Sequence, residues 1–173
     1  MTQIHNLPRG FCWEAHYKRV LRWYGRLKKI HNGDRYGDDI DFYYDEMLVF
    51  FIFCHQFKDW IKKDTTIPPK EVEQLINDNE CLQLCADIAN GTKHLGVDSQ
   101  RGPRSGQNSS MRPVVLLDES KLLSNDAFPL IGLRFNLTLE DGRVLEAYNI
   151  ASMCLQVWAA FLSKKGLITN SIT

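Results

Sequence analysis

Residues 40–63, IDFYYDEMLVFFIFCHQFKDWIKK, decide the fold. Apolar side chains recur at helical spacing in this stretch and cover more than half of the helix circumference. They are Phe42, Tyr43, Met47, Phe50, Phe51, Cys54, Phe57, Trp60 and Ile61. Because a helix that is apolar on so many sides has to be covered on several of them, the stretch predicts a long central helix, about Ile40 to Lys63, that anchors a helical bundle.

Further helices are predicted on both sides of this segment from apolar spacing and from stop signals such as Asn32-Gly33 and Gly166. They cover Phe11 to Ile30, Pro69 to Asn77, about Glu80 to His94, and a sharply amphipathic last helix that starts near Ile150. The fold class that follows is mainly α, a four- to five-helix bundle.

Before the last helix the apolar period changes from helical to two. Alternation from Ile131 to Leu139 predicts a half-buried strand, and Asp141-Gly142 predicts a tight turn into a strand over Val144 to Tyr148. Val114 to Leu117 predicts another short strand. A small antiparallel β-hairpin, residues 129–149, is therefore expected to be inserted before the C-terminal helix. Residues 96–112 contain almost no apolar side chain and predict a mobile loop.

Length and charge limit the functions open to the chain. Its 173 residues suit a single domain spanning residues 1–173. Because 21 basic and 21 acidic residues cancel, binding to nucleic acid would need a local patch. The apolar stretch Met47 to Cys54 is far shorter than the roughly 20 residues that cross a bilayer. The N-terminus lacks an apolar signal segment, so no membrane association and a cytoplasmic location are expected.

The cysteines are odd in number and do not form CxxC pairs. They are Cys12, Cys54, Cys81, Cys85 and Cys154. Cys81 and Cys85 would share a helical face, but buried cysteine usually packs as a small hydrophobic residue. The sequence therefore predicts reduced, mostly buried thiols, and we assign no metal and no cofactor. Glycine-rich phosphate loops, GxSxG and HExxH motifs are also absent from the sequence.

A polar stripe near the end of the fourth helix is the main candidate for chemistry. Asp87, Asn90 and His94 stand at i, i+3 and i+7, and Lys93 is adjacent. In one hypothesis His94 acts as acid or base, Asp87 orients it, and Asn90 and Lys93 stabilise a phosphate. In the other, these residues tie the helix end to a neighbouring element and complement the helix dipole.

Two further groups could bind a ligand. His55 and Asp59 stand at i and i+4 on the central helix, where either a satisfied buried histidine or a functional pair is expected. The first helix carries a basic stripe beside Trp23 and Tyr24, formed by Arg19, Arg22, Arg26 and Lys29. Arginine together with aromatic residues suits single-stranded RNA, although such a stripe can also be an ordinary solvated face.

The segments FFIFCHQFKDWIKKD and LQLCADIANGTKHL, within Phe50 to Leu95, resemble small bacterial and phage proteins related to HEPN-type helical bundles. The positions that carry this resemblance are Asp59, Trp60, Asp87, Asn90, Lys93 and His94. The resemblance implies a dimeric bundle and, in many members, a metal-independent ribonuclease of toxin–antitoxin or phage-defence systems. It also implies an Arg placed four to six residues before the catalytic His. Here Asp87 stands seven residues before His94, so the resemblance supports the bundle better than RNA cleavage.

Three hypotheses of function follow. The first is a HEPN-like module that binds or cleaves RNA, as a homodimer or with a protein partner. The second is a non-catalytic protein-interaction or structural module. The third is a sensor of a small ligand or nucleotide that binds between the helices.

Overall fold

A computed structural model describes residues 11–34, 37, 39–94, 102–117 and 130–169. The described residues form five helices and three strands: α1 (Trp13–His31), α2 (Ile40–Asp64), α3 (Pro69–Asn77), α4 (Glu80–His94), β1 (Ser109–Leu117), β2 (Leu130–Leu139), β3 (Val144–Glu146) and α5 (Ala147–Lys164). The predicted fold class is confirmed. The chain is mainly helical, with a small antiparallel sheet immediately before the last helix.

The central helix is α2, as its apolar pattern predicts. Met47, Phe50, Phe51 and Phe57 on this helix have 0% of their surface exposed. Helices α1, α4 and α5 pack around it. Burying one such side chain contributes roughly 1.5–3 kcal/mol, so these few positions dominate the hydrophobic stabilisation of the bundle.

Capping side chains fix where the first two helices begin. The Asp39 carboxylate accepts the Phe42 N–H at 2.8 Å at the start of α2. The Trp13 N–H donates to Asp64 Oδ2 at 2.7 Å, which joins the first residue of α1 to the last residue of α2. The two helices therefore run antiparallel as direct neighbours.

The three strands form an antiparallel sheet in the order β1-β2-β3. Leu133, Phe135, Leu137 and Leu139 are buried, which confirms the predicted alternation in β2. Gly142, with φ of 86°, supplies the left-handed backbone conformation that the β2–β3 turn needs.

The structure differs from the sequence-based boundaries at both ends of the sheet. Strand β1 begins at Ser109, inside the segment predicted as a loop, because Ser109 to Arg112 pair with β2 through backbone groups that leave no apolar pattern. Residues 96–101 of that predicted loop lie outside the described residues. Strand β3 ends at Glu146 rather than Tyr148, since Ala147 and Ile150 already lie on the buried face of α5.

Within the residues that the structure describes, no helix combines the length and the apolar character needed to cross a membrane.

We expect Phe50→Ala to lower the free energy of unfolding by about 3–5 kcal/mol, because it leaves a cavity between α2 and the helices that pack on it. Phe11→Ala is the matched control, since Phe11 is 49% exposed, and its effect should stay below about 1 kcal/mol. Urea denaturation followed by circular dichroism measures both values. Equal losses in the two variants would contradict the central position of α2.

Candidate functional site

The basic residues of α1 lie on its solvent-facing side. We call this surface the cationic face, and it consists of Lys18, Arg19, Arg22, Arg26, Lys28 and Lys29. Arg19 is half-buried and the other five side chains are exposed. Glu14 is the one acidic residue of the helix. The structure therefore places all four residues of the predicted basic stripe on one surface, with two further lysines.

Two guanidinium groups of the cationic face lie over aromatic rings. The Arg26 guanidinium carbon is 4.5 Å from the centre of the Trp23 ring, and that of Arg19 is 5.6 Å from the Phe53 ring. Trp23 and Phe53 in turn stack at 6.2 Å between ring centres. Cations and π faces therefore alternate along this surface.

Most of the positive charge on the cationic face is not neutralised by the described part of the chain. Arg26 forms an ion pair with Glu46 at 2.6 Å, and Glu46 is itself buried. Among the described residues, Arg22 and Lys29 have no acidic partner within ion-pair distance. Their charge is therefore available to an anionic ligand.

Beneath the cationic face, His16 is buried and uncharged. Its Nε2–H donates to the Phe53 carbonyl at 2.9 Å, since a carbonyl can only accept. Its Nδ1 then accepts from the Arg19 guanidinium at 3.3 Å. Burial lowers the pKa of His16, and the neighbouring charge of Arg19 acts in the same direction. His16 therefore fixes Arg19 in position and adds no charge of its own.

Asp87, the first residue of the predicted polar stripe, is engaged with the backbone of a distant loop. It is 5% exposed, and its two carboxylate oxygens accept the N–H groups of Arg104 at 2.5 Å and Ser105 at 2.9 Å. A buried carboxylate that accepts two backbone N–H groups is well satisfied. The geometry thus matches the structural alternative for Asp87, a lock between α4 and residues 102–108.

We expect Asp87→Ala to lower the free energy of unfolding by about 2–3 kcal/mol, because it leaves two N–H groups without their acceptor. The amides of Arg104 and Ser105 should also lose their protection from hydrogen exchange, which NMR or mass spectrometry can measure. Asn90→Ala, one turn along on the same helix, is the control and should leave both amides protected. Unchanged protection in Asp87→Ala would contradict the lock.

The remaining stripe residues lie at the end of α4. Asn90 is half-buried, and the helix extends to His94, but the side chains of Lys93 and His94 lie outside the described residues. A cleft of about 530 Å³ opens beside this part of α4. Its lining includes Asp87, Gly91, Tyr44 and Met111. Its volume falls within the range of small-molecule pockets.

His55 and Asp59 do not form a pair with each other. Asp59 is exposed and acts electrostatically on Lys58, whereas His55 is partly buried and faces the charges around Arg104. The Arg104 guanidinium donates to Glu73 at 2.6 Å, and Lys62 pairs with the same carboxylate. Asp87 accepts the backbone N–H of Arg104. Arg104 therefore belongs both to the surroundings of His55 and to the Asp87 lock.

Desolvation, and then the positive charges of Lys58 and Arg104, lower the pKa of His55 to about 4. The unfolded chain therefore binds a proton near pH 6.5, while the folded chain stays neutral at His55 until about pH 4. We expect the free energy of unfolding to fall as the pH is lowered from 6.5 to 4.5, by on the order of 2 kcal/mol from this residue.

Denaturation at a series of pH values checks this expectation, with His55→Gln as the comparison. The variant should lose less stability over the same interval, because glutamine does not titrate. An identical pH dependence in both proteins would show that the pKa of His55 is not depressed in the folded state.

A further polar cluster was not foreseen from the sequence. His31 Nδ1 lies 2.8 Å from Glu146 Oε1 and 2.7 Å from Arg134 Nη1, and the guanidinium donates directly to Glu146 at 2.8 Å. The imidazole also stacks on Tyr148 at 4.0 Å. These residues tie the end of α1 to β2 and to the start of α5. They are separated by up to 117 positions, and no local spacing indicates their proximity.

Comparisons with family models, with curated proteins and with solved structures find no match to this chain.

Proposed function

We propose that the protein is a HEPN-like helical module that binds single-stranded RNA through the cationic face of α1. In this proposal it acts on cytoplasmic RNA, in the toxin or phage-defence setting that the sequence resemblance implies. The observation that carries the proposal is the concentration of charge. Six Lys and Arg residues and one Glu lie on α1, in a chain whose formal net charge is zero.

The aromatic rings of this surface favour single-stranded RNA over a duplex. Trp23 is half-buried, with Arg26 over its ring, and Arg22 and Lys29 are exposed on the same helix. Cationic side chains pair with phosphates, while aromatic and guanidinium planes stack on bases that are free of a duplex. Electrostatic attraction of this kind supplies most of the sequence-independent affinity of RNA-binding surfaces.

The other hypotheses receive less support from the geometry. The cleft beside α4 has a suitable volume for a small ligand, but its buried charged group, Asp87, already accepts two backbone N–H groups. Large exposed apolar side chains, among them Leu21, Val115 and Met153, are spread over different elements of the described chain. A protein interface usually needs a continuous apolar patch, and separate elements would have to combine to supply one.

The test compares two charge reversals of equal size. We expect Arg22→Glu with Lys29→Glu to weaken binding of a labelled single-stranded RNA at least about tenfold, and to reduce the salt dependence of the affinity by about one to two counterions. Fluorescence anisotropy at several salt concentrations measures both quantities. The control, Lys63→Glu with Lys70→Glu, changes the charge equally on exposed lysines outside α1 and should alter the affinity less than about twofold.

Equal weakening in the two double variants would show that only net charge matters, and absence of wild-type binding at low salt would contradict the proposal itself. The same mixtures, analysed on a gel without added metal, test catalysis. Cleavage that His94→Ala abolishes, while RNA binding and the helical circular dichroism spectrum persist, would extend the proposal from binding to a ribonuclease.

A further inference from the structure

Three cysteines that are distant in sequence meet in the core of the bundle. Cys54 lies on α2, Cys85 on α4 and Cys154 on α5. Their sulfur atoms all lie within 4.8 Å of one another, and each residue is 0–1% exposed. Helices α2, α4 and α5 therefore each contribute one thiol to a single buried cluster.

Two thiols of this cluster donate to backbone carbonyls, and these hydrogen bonds do not use the sulfur lone pairs. The Cys154 thiol lies 3.2 Å from the Cys81 carbonyl, and the Cys85 thiol lies 3.5 Å from the Phe51 carbonyl. Because a thiol has one hydrogen, donation to a carbonyl leaves its lone pairs uncommitted. Cys81 lies one helical turn before Cys85, and its carbonyl oxygen is 3.2 Å from the Cys154 sulfur, so Cys81 is a candidate for a fourth donor.

A buried donor beside the cluster also lacks a partner. Among the described residues, Trp158 Nε1 is the buried side-chain polar atom without a hydrogen bond. Buried N–H groups are nearly always paired, so such a group needs an explanation. The indole lies beside Cys54, and a metal-bound thiolate there would supply the acceptor that the indole N–H lacks.

Negative charge is costly in so buried a core, and a bound cation would offset that cost, because thiolates that coordinate a metal ion lose their protons and share its charge.

We infer that Cys54, Cys85 and Cys154 form a structural site for one thiophilic d¹⁰ metal ion of the Zn²⁺ type, with Cys81 nearby as a fourth donor. A Zn–S distance of about 2.3 Å places ligand sulfurs about 3.8 Å apart in tetrahedral geometry, so each sulfur needs to move inward by at most roughly 0.6 Å. Sulfur ligands favour such ions over Mg²⁺ and Ca²⁺, which prefer oxygen.

Binding would involve proton release and no electron transfer. Each thiol that becomes a ligand gives its proton to solvent as its sulfur–metal bond forms, so the affinity should weaken as the pH falls. The ion would join α2, α4 and α5, and this role does not depend on whether α1 binds RNA. A cluster that forms only on folding also explains how an ion could enter so buried a site, since it would bind as the helices come together.

The experiment uses the full chain, unfolded and reduced, then refolded with one equivalent of Cd²⁺ or Zn²⁺, with Mg²⁺ as the comparison ion. After gel filtration we expect one Cd²⁺ or Zn²⁺ per chain by elemental analysis, and a thiolate-to-metal charge-transfer absorption with Cd²⁺. We also expect a higher unfolding temperature than that of the metal-free protein. Mg²⁺ should give none of these.

Matched cysteine variants separate the site from unspecific thiol binding. Cys85→Ala should weaken metal binding at least about a hundredfold, since mutation of a residue that only hydrogen-bonds to a metal ligand already lowers the affinity by up to that factor. Cys12→Ser should bind like the wild type, because Cys12 lies at the start of α1, and the serine hydroxyl can accept the Ala15 N–H in place of the Cys12 sulfur. If Cys85→Ala does not refold, Cys154→Ala serves instead, and the wild-type absorption still reports the number of thiolate ligands. A wild-type chain that refolds without retaining the ion, or equal loading of Cys85→Ala, would overturn the inference.

Discussion

The structure depends on the burial of α2 on several sides at once. A helix with Met47, Phe50, Phe51 and Phe57 completely inaccessible to solvent cannot be stable alone or against a single neighbour. Each part of its circumference requires a covering element, and α1, α4 and α5 supply these. The positions of the cationic face, the cleft and the cysteine cluster are consequences of that arrangement, because each lies on a helix that α2 orders.

In the described part of the chain, buried His, Glu and Asp side chains in this core are paired with groups around them, whereas the Trp158 indole N–H is not. Among the described residues, the buried polar or charged ones are His16, Glu46 and Asp87. His16 is neutral and uses both ring nitrogens, Glu46 faces Arg26, and Asp87 accepts two N–H groups. Since an unpaired buried charge is strongly destabilising, such groups are better explained first as parts of the fold. Asp87 illustrates the point, because its position on a polar stripe is compatible with either a catalytic or a structural role until its partners are known.

Local patterns predicted the elements well, and they failed where the partner of a residue is distant in sequence. Pro69–Asn77 and Glu80–His94 match their predicted bounds because apolar spacing and helix stop signals are local properties. The start of β1 was not predictable, since its first residues pair through the backbone. Nor does any spacing show that Asp87 holds Arg104, or that Cys54 and Cys154 share one cluster, because packing of whole helices brings these side chains together.

The distribution of charge connects the fold to the proposed function. A net charge of zero predicts no long-range attraction to RNA, but it does not determine where the charges lie. Several acidic residues outside α1 form ion pairs with nearby cations: Glu73 with Arg104 and Lys62, Glu80 with Arg143, and Glu146 with Arg134. On α1, Arg26 has Glu46, while Arg22 and Lys29 have no acidic partner among the described residues. The exposed cations of α1 that lack an acidic partner in the described chain act locally, within about a Debye length, so this surface can attract a polyanion although the net charge of the protein is zero.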